Sequence, residues 1–246
     1  MALIEELEAS GRWLFRWRSY LPLVMFVVMF ASFGYFSYPF GSELLDHVWE
    51  WFCVFVGLSG LIVRGLVAGY VPRRTSGRNT KQQVAETLNT TGMYSVVRNP
   101  LYLGNFLVGL AVALFLRVWW IPLIYLLSFM LYYERIIFAE EMFLRRKFGE
   151  DYLAWASRTP AFFPRFSQWQ RPSLPFSMRT LVRREYQSAY GLILALFALE
   201  QLTEFYLGHG WRVDAMWIWI VGLATCGYLI ARFLHKKTGL LRVEGR

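Results

Sequence analysis

Hydrophobic and polar positions are segregated into long blocks along this chain, and the hydrophobic blocks have the length of membrane-crossing helices. A helix needs roughly 17–25 apolar residues to cross a bilayer. Six apolar runs approach that length, at about residues 20–38, 48–70, 101–116, 118–138, 187–207 and 215–233. Only Arg117 separates the third run from the fourth, so these two are predicted to form a tight helical hairpin. The pattern predicts an all-α integral membrane bundle of about six transmembrane helices.

Basic residues are distributed unevenly between the two ends of these helices. Six crossings place both termini on one side, and 23 of the 26 Lys and Arg residues then fall on that side. Cytoplasmic loops carry an excess of Lys and Arg, so both termini are predicted to be cytoplasmic. The net charge of +9 therefore indicates membrane orientation, and we expect no nucleic-acid partner.

Composition narrows the class of protein further. Hydrophobic residues make up 56% of the 246 positions and charged residues only 17%, whereas a soluble domain is about one quarter charged. Cys53 and Cys226 have no second Cys and no His at ligand spacing, so neither a disulfide framework nor a metal site is expected. The first apolar run has no A-x-A-like end, which predicts a retained helix and not a cleaved signal peptide.

One candidate site lies at the predicted cytoplasmic end of the third run. Pro100 suits the first turn of a helix, and the free N–H groups of a helix start can bind an anion. Arg98 adds a bidentate donor. Gly104 permits close approach of another helix or of a flat ligand. The same residues also fit a plain helix start with an interfacial Arg and Tyr.

The second candidate is the acidic pair Glu140-Glu141 at the end of the fourth run. Because the third and fourth runs form a hairpin, this pair returns to the face that holds Arg98. Its carboxylates could bind ribose hydroxyls or a cationic ligand. A solvated helix end, with Glu141 paired to Arg145 one turn later, explains the same residues.

Together these segments resemble the integral-membrane methyltransferases, which include isoprenylcysteine carboxyl methyltransferase and the phospholipid N-methyltransferases. The resemblance covers residues 91–164, about a third of the chain. It rests on Gly92-x-Tyr94-x3-Arg98-x-Pro100-x-Tyr102-x-Gly104, then Glu140-Glu141-x6-Phe148-Gly149-x2-Tyr152, then Arg158-x-Pro160.

The resemblance implies S-adenosylmethionine bound at the cytoplasmic end of the bundle. It implies a cofactor site formed by Gly92, Tyr94, Asn99, Pro100, Tyr102, Gly104, Glu140 and Glu141. The implied catalytic residues are Arg98, Glu141, Arg135 and Arg158. Asn99 stands where the family usually has His, and an amide forms hydrogen bonds but does not titrate near neutral pH.

The expected reaction is methyl transfer to a lipid or lipidated acceptor, on the cytoplasmic face of a bacterial inner membrane. An anionic oxygen needs no base, so a lipid phosphate (such as that of lipid A) or a prenylcysteine carboxylate is favoured. A phospholipid amine is the alternative, with Glu134 or Glu141 as the base. An NADPH-dependent isoprenoid or sterol reductase and a transporter remain as other classes.

Three charged residues lie at membrane depth, namely Arg64, Glu200 and Glu204. Such residues usually face a partner or a cavity. Glu200 and Glu204 either form a buried structural pair with Arg64 or line a polar pocket for a lipid head group. A transporter would use all three residues as a polar path.

The chain as a whole is divided into a two-span region (1–90), a methyltransferase core (91–165), and a Pro-rich connector with two further spans (166–246).

Overall fold

The structure is a computed structural model that describes residues 2–18, 20, 23–35, 43–72, 75, 83–211, 213–243 and 245. Within these ranges the chain forms helices, turns and extended segments, with no strand, which confirms the all-α prediction. The helices are α1 (Leu3–Trp17), α2 (Leu23–Ala31), α3 (Glu43–Tyr70), α4 (Met93–Val96), α5 (Pro100–Phe115), α6 (Trp120–Phe148), α7 (Glu150–Ala156), α8 (Met178–Tyr206) and α9 (Ala215–Phe233).

Three of the described helices are long and apolar enough to cross a membrane. They are Leu45–Tyr70, Trp120–Phe148 and Ala215–Thr238, and the apolar helix Pro100–Phe115 is shorter. The predicted span 20–38 lies partly outside the described residues. The number of six crossings and the side of the termini therefore stay predictions.

Helix α8 begins earlier than its apolar run, which was predicted to start at residue 187. The Ser177 hydroxyl accepts a hydrogen bond from the Thr180 amide at 3.2 Å and caps the helix. The first turns of α8 are polar and basic, so the pattern of apolar residues does not predict them.

The predicted hairpin between α5 and α6 is confirmed, and it turns at Arg117. This residue has a φ of 57°, and its side chain is only 2% exposed. Its guanidinium pairs with Glu50 at 2.7 Å and with Asp46, both on α3. The ion pairs hold the turn against α3 at the end of the bundle opposite Arg98.

Helix α3 packs between α5 and α8. Its closest approach to α5 is at Gly104, where an added Cβ would lie 2.8 Å from the Gly60 carbonyl oxygen and 2.5 Å from Arg64 Cγ. Real Cβ atoms do not approach backbone so closely, so Gly104 is needed for this helix crossing. Of the two uses predicted for Gly104, the structure shows the contact with another helix.

Of the two interpretations of the charges at membrane depth, the ion pair of Arg64 with Glu200 or Glu204 is wrong. Arg64 pairs with Glu185 on α8, at 2.8 Å between Nε and Oε2. Glu200 lies beside Glu50, and Glu204 pairs with His209 at 3.0 Å. Positions 50 and 64 of α3 are about 21 Å apart along the helix, at 1.5 Å per residue. The intramembrane charges therefore belong to two separate clusters.

Helix α1 was not predicted, because it is amphipathic and lacks a long apolar run. It packs along the C-terminal half of α6. Gly11 lies against the backbone of Arg135, and Glu8 pairs with Arg146 at 2.6 Å. This helix contributes to the site described next.

Candidate active site

A cavity of about 1110 Å³ lies between the start of α5, the end of α6, and parts of α1, α3 and α8. Both predicted segments reach it, although they are far apart in sequence. The predicted site residues that line it are Tyr94, Arg98, Asn99, Pro100, Tyr102, Glu140 and Glu141.

Arg98 and Glu141 join the two segments directly. The Arg98 Nε lies 2.9 Å from Glu141 Oε1, and Arg98 Nη1 donates to the Ala156 carbonyl at 2.8 Å. The two side chains are 20% and 27% exposed, so the pair is largely removed from water. The guanidinium is thus shared between a carboxylate and a backbone oxygen at the cavity wall.

Backbone oxygens of residues 160–161, after α7, accept hydrogen bonds from the two residues before α5. The Arg98 amide donates to the Pro160 carbonyl at 2.8 Å, and the Asn99 side-chain amide donates to the Ala161 carbonyl at 3.0 Å. On the other side, the Trp155 indole donates to the Tyr94 carbonyl at 3.0 Å. Asn99 therefore acts here as a fixed hydrogen-bond donor.

Glu140 faces a different partner, which comes from the end of α1. The Arg18 guanidinium lies 3.8 Å from Glu140, and it donates to the Tyr102 hydroxyl at 3.4 Å. Arg18 also stacks on the Phe15 ring, 4.1 Å from its centroid. The two adjacent carboxylates are thus held by arginines from opposite sides of the cavity.

Aromatic rings and hydrogen-bond donors surround Glu141. The Tyr152 ring packs 5.7 Å from the Trp155 ring. Burial raises the pKa of the Tyr152 phenol, and the neighbouring Glu141 carboxylate raises it further, so the hydroxyl remains a donor. Gln83 Nε2 is also buried in the cavity wall, and it has no hydrogen-bond partner among the described residues.

These groups suit a polar ligand that carries a flat ring. Carboxylates match hydroxyl and ammonium groups, and aromatic rings match a planar heterocycle. The Gln83 amide offers a hydrogen bond to such a ligand, as buried donors normally require. Glu141, Glu140, Tyr152, Trp155 and Gln83 are the residues that could hold it.

The far wall of the cavity is built around Arg64. Its Nε donates to Glu185 at 2.8 Å, its Nη2 donates to Ser188 at 3.1 Å, and its Nη1 donates to Asn105. One side chain therefore ties α3 to both α5 and α8. Arg184 of α8 lines the same wall.

Four predicted residues are not among the described residues that line the cavity. Gly92 has a φ of +60° and forms a turn whose amide donates to the Gln170 carbonyl at 2.9 Å. Gly104 packs against α3, as described above. Arg135 is exposed, and Arg158, just after α7, is exposed with its Nε donating to the Ala154 carbonyl of α7 at 3.0 Å. The Arg158-x-Pro160 segment thus contributes its backbone to the site.

Several lining residues were missed by the sequence analysis, namely Phe15, Arg18, Gln83, Asn105, Glu185 and Ser188. They lie on α1, α5, α8 or a connecting segment, mostly outside the recognised motifs. The one signal that could have found Glu185 is the isolated charge of Arg64, which requires a nearby partner at membrane depth.

Residues 75–151 match the family model of the phospholipid methyltransferases. The chain is also similar to the cobalt-zinc-cadmium resistance protein CzcN of Cupriavidus metallidurans, with 32% identity over 144 residues, which are 58% of this chain and 64% of that protein. The nickel-cobalt-cadmium resistance protein NccN of Alcaligenes xylosoxydans xylosoxydans is 35% identical over 120 residues, 48% of this chain and 53% of that protein. These matches span between about half and two thirds of each relative. No solved structure gives a significant match.

The segment that matches the family contains both Arg98 and Glu141, the two residues that close the cavity wall. The match of residues 75–151 to the phospholipid methyltransferase family model thereby confirms the resemblance found in the sequence of this all-helical protein.

Proposed function

We propose that this protein transfers a methyl group from S-adenosylmethionine to a lipid-borne acceptor. The observation that carries the proposal is the convergence of two distant family segments on one cavity, where Arg98 and Glu141 lie 2.9 Å apart. The family domain supports membrane methyl transfer in general. The choice of cofactor and acceptor rests on the chemistry of the residues that line the cavity.

The cofactor end of the cavity is the region around Glu141. S-adenosylmethionine, when bound, supplies a methyl group on a positively charged sulfur. The protein's task is to align that group with the acceptor and to exclude water. Glu140 and Glu141 accept hydrogen bonds from hydroxyl or ammonium groups. Tyr152 and Trp155 provide flat apolar surfaces, and Arg98 fixes the position of the Glu141 carboxylate.

The far wall, around Arg64, is the proposed place for the head group of the acceptor. A cavity for one drug-sized ligand has a volume of about 300–1,000 Å³, and this cavity, at about 1110 Å³, exceeds that range. It therefore has room for a cofactor together with a second polar group. This wall carries two basic residues, Arg64 and Arg184, and one acidic residue, Glu185. Its net charge is therefore positive, which favours binding of an anionic head group.

The available bases also favour an anionic oxygen over an amine as the methyl acceptor. An amine must lose a proton before it attacks, and a phosphate or carboxylate oxygen does not. Asn99 cannot take that proton, Glu141 is already paired with Arg98, and Glu140 lies beside the Arg18 guanidinium. Glu134 is exposed and is not among the described lining residues. A lipid phosphate or a prenylcysteine carboxylate is thus the proposed acceptor class.

The proposed location of this site is the cytoplasmic face of a bacterial inner membrane. The support is the excess of basic residues at the end of the bundle that carries Arg98. The names of the two relatives refer to resistance to metal ions and state no methyl acceptor. The proposal therefore rests on the family domain and the cavity, and it assigns no role to metal binding.

A labelled-methyl assay tests this proposal. Purified protein in lipid nanodiscs is incubated with methyl-labelled S-adenosylmethionine and a bacterial lipid extract, and the lipid fraction is analysed by mass spectrometry. We expect label on an acidic head group, with a loss of about 100-fold for Arg98→Ala because the site is misaligned. Arg158→Ala, an exposed residue outside the cavity lining, is the matched control and should retain activity. Absence of lipid labelling by the wild-type protein, or full activity of Arg98→Ala, would overturn the proposal.

A further inference from the structure

We propose that the end of α1, residues 12–18, is a side wall of the cavity and separates it from the head-group layer of the membrane. The claim concerns a surface and its lipid partner. It holds whichever acceptor the cavity binds, because it rests on the position of α1 alone.

The end of α1 has two different faces. Phe15 and Arg18 line the cavity, and Phe15 is 6% exposed. Trp13 and Trp17 are four residues apart, so they share one side of the helix. They are 56% and 43% exposed, with ring centroids 6.4 Å apart. A single helix thickness therefore lies between the cavity and this exposed aromatic surface, which we call the Trp13–Trp17 face.

The contacts of α1 with α6 fix its direction. Glu8 pairs with Arg146, Gly11 lies against Arg135, and the Leu14 carbonyl accepts from the Tyr132 hydroxyl at 3.2 Å. Residue numbers rise along α1 while they fall along α6, so the two helices run antiparallel.

The sequence of α6 then gives the depth. Its first part is apolar, the first charges are the exposed Glu134 and Arg135, and residues 140–147 are largely polar and charged. The start of α1 therefore lies beside the polar end of α6, its middle, at Gly11, lies beside Arg135, and Leu14, nearer its end, lies beside Tyr132, just before the first charges of α6. Trp13 and Trp17 consequently lie near the level where α6 enters the membrane.

The chemistry of the Trp13–Trp17 face fits lipid head groups. Trp and Tyr concentrate at membrane interfaces, where one part of the ring system is apolar and the other is polar. Tyr20 extends the face, with its ring 6.0 Å from Trp17. The exposed Arg12 and Arg16 lie on the adjacent side of the helix, where they can meet lipid phosphates. A short link then leads to the wholly apolar α2.

This position has a consequence for how a lipid meets the cavity. A head group held against the Trp13–Trp17 face is separated from Arg18 and Glu140 only by α1.

Site-specific quenching tests the proposal. The background is Cys226→Ser, because Cys226 is exposed and Cys53 is fully buried. Trp13→Cys and the matched control Glu5→Cys, an exposed position at the start of α1, are each labelled with an environment-sensitive fluorophore. The full-length proteins are placed in liposomes that contain nitroxide lipids, labelled either on the head group or at the acyl-chain end. A Trp17→Cys variant repeats the measurement with a second position on the same face.

We expect head-group nitroxides to quench the labels at positions 13 and 17, and aqueous iodide to quench the label at position 5. Equal lipid quenching at positions 5 and 13 would mean that α1 lies flat on the membrane. That result contradicts the proposal, in which the start of α1 lies in water and its end lies at the level of the lipid head groups. Stronger quenching of positions 13 and 17 by acyl-chain-end nitroxides, or by iodide alone, would also overturn it.

Discussion

The Arg98 guanidinium and the Glu141 carboxylate form an ion pair, 2.9 Å between Nε and Oε1, that joins the start of α5 to the end of α6. The sequence places the two residues in separate candidate segments, Arg98 as a donor to an anion and Glu141 as a ligand of the cofactor. Their pairing means that a change in either residue alters the environment of the other.

Arg98→Ala and Glu141→Ala should each destabilise the protein, and the double variant should be less destabilised than the sum of the two. Residues in direct contact show coupling energies of about 0.5–3 kcal/mol. The free energy of unfolding, measured by denaturant titration in detergent, gives the coupling directly. A second double-mutant cycle, with Arg158→Ala and Glu141→Ala, serves as the control. In that cycle the two losses of unfolding free energy should be additive. Strict additivity in the Arg98 cycle would show that the ion pair does not exist in solution.

Arg64→Met should destabilise the bundle, because it leaves the Glu185 carboxylate without its partner. Glu185 is 10% exposed on its side chain, and breaking a buried pair costs about 3–5 kcal/mol. The double variant Arg64→Met with Glu185→Leu should recover much of that loss, since no unpaired charge remains. Thermal denaturation of the three proteins checks this. If the single variant were as stable as the wild type, Arg64 would not hold α3 to α8.

Gly104→Ala should destabilise the contact between α3 and α5, because its Cβ would meet the Gly60 carbonyl oxygen at 2.8 Å. Overpacking of this kind costs about 1–3 kcal/mol. Gly191→Ala is the matched control within a helix, since no atom lies within 4 Å of its added Cβ. That variant should be neutral or more stable by about 0.4–1 kcal/mol. Equal melting temperatures for the two variants would contradict the close helix approach.

The docking of α1 should weaken in acid through Glu8. The two hydrogen bonds donated by Arg146, at 3.0 Å and 2.6 Å, lower the pKa of the Glu8 carboxyl. A lowered pKa in the folded state stabilises the protein above the unfolded value of about 4.3, and that stability is lost as the pH falls through the folded pKa. Thermal denaturation from neutral pH downward should therefore fall more steeply below about pH 4 for the wild type than for Glu8→Gln. Identical pH profiles would remove Glu8 from the docking of α1.

The sequence predicted the features that depend on local patterns. Long apolar runs predicted the helical membrane bundle, and the lone Arg117 between two runs predicted the hairpin. Gly149, a residue type that commonly follows a helix end, ends α6 with a φ of +53°. Each of these follows from the spacing of apolar residues or from a single turn residue.

The partners of charged side chains could not be predicted in the same way. Arg64 was recognised as an intramembrane charge, but Glu185 lies at the start of α8, before the apolar run that was used to define that helix. Arg18 reaches Glu140 only because α1 packs against α6, and α1 gives no signal in a search for membrane-length runs. These contacts depend on how helices are arranged in space, which periodicity within one helix does not specify.

Ligand binding to the purified protein tests whether the cavity between α5 and α6 holds S-adenosylmethionine. Isothermal titration calorimetry and thermal denaturation of the detergent-solubilised chain are carried out with S-adenosylmethionine, S-adenosylhomocysteine and NADPH. We expect binding and stabilisation by the first two ligands and none by NADPH, with binding of S-adenosylmethionine weakened by Glu141→Ala and retained by Arg158→Ala. Stabilisation by NADPH alone, or binding of S-adenosylmethionine that is unaffected by Glu141→Ala, would contradict this expectation.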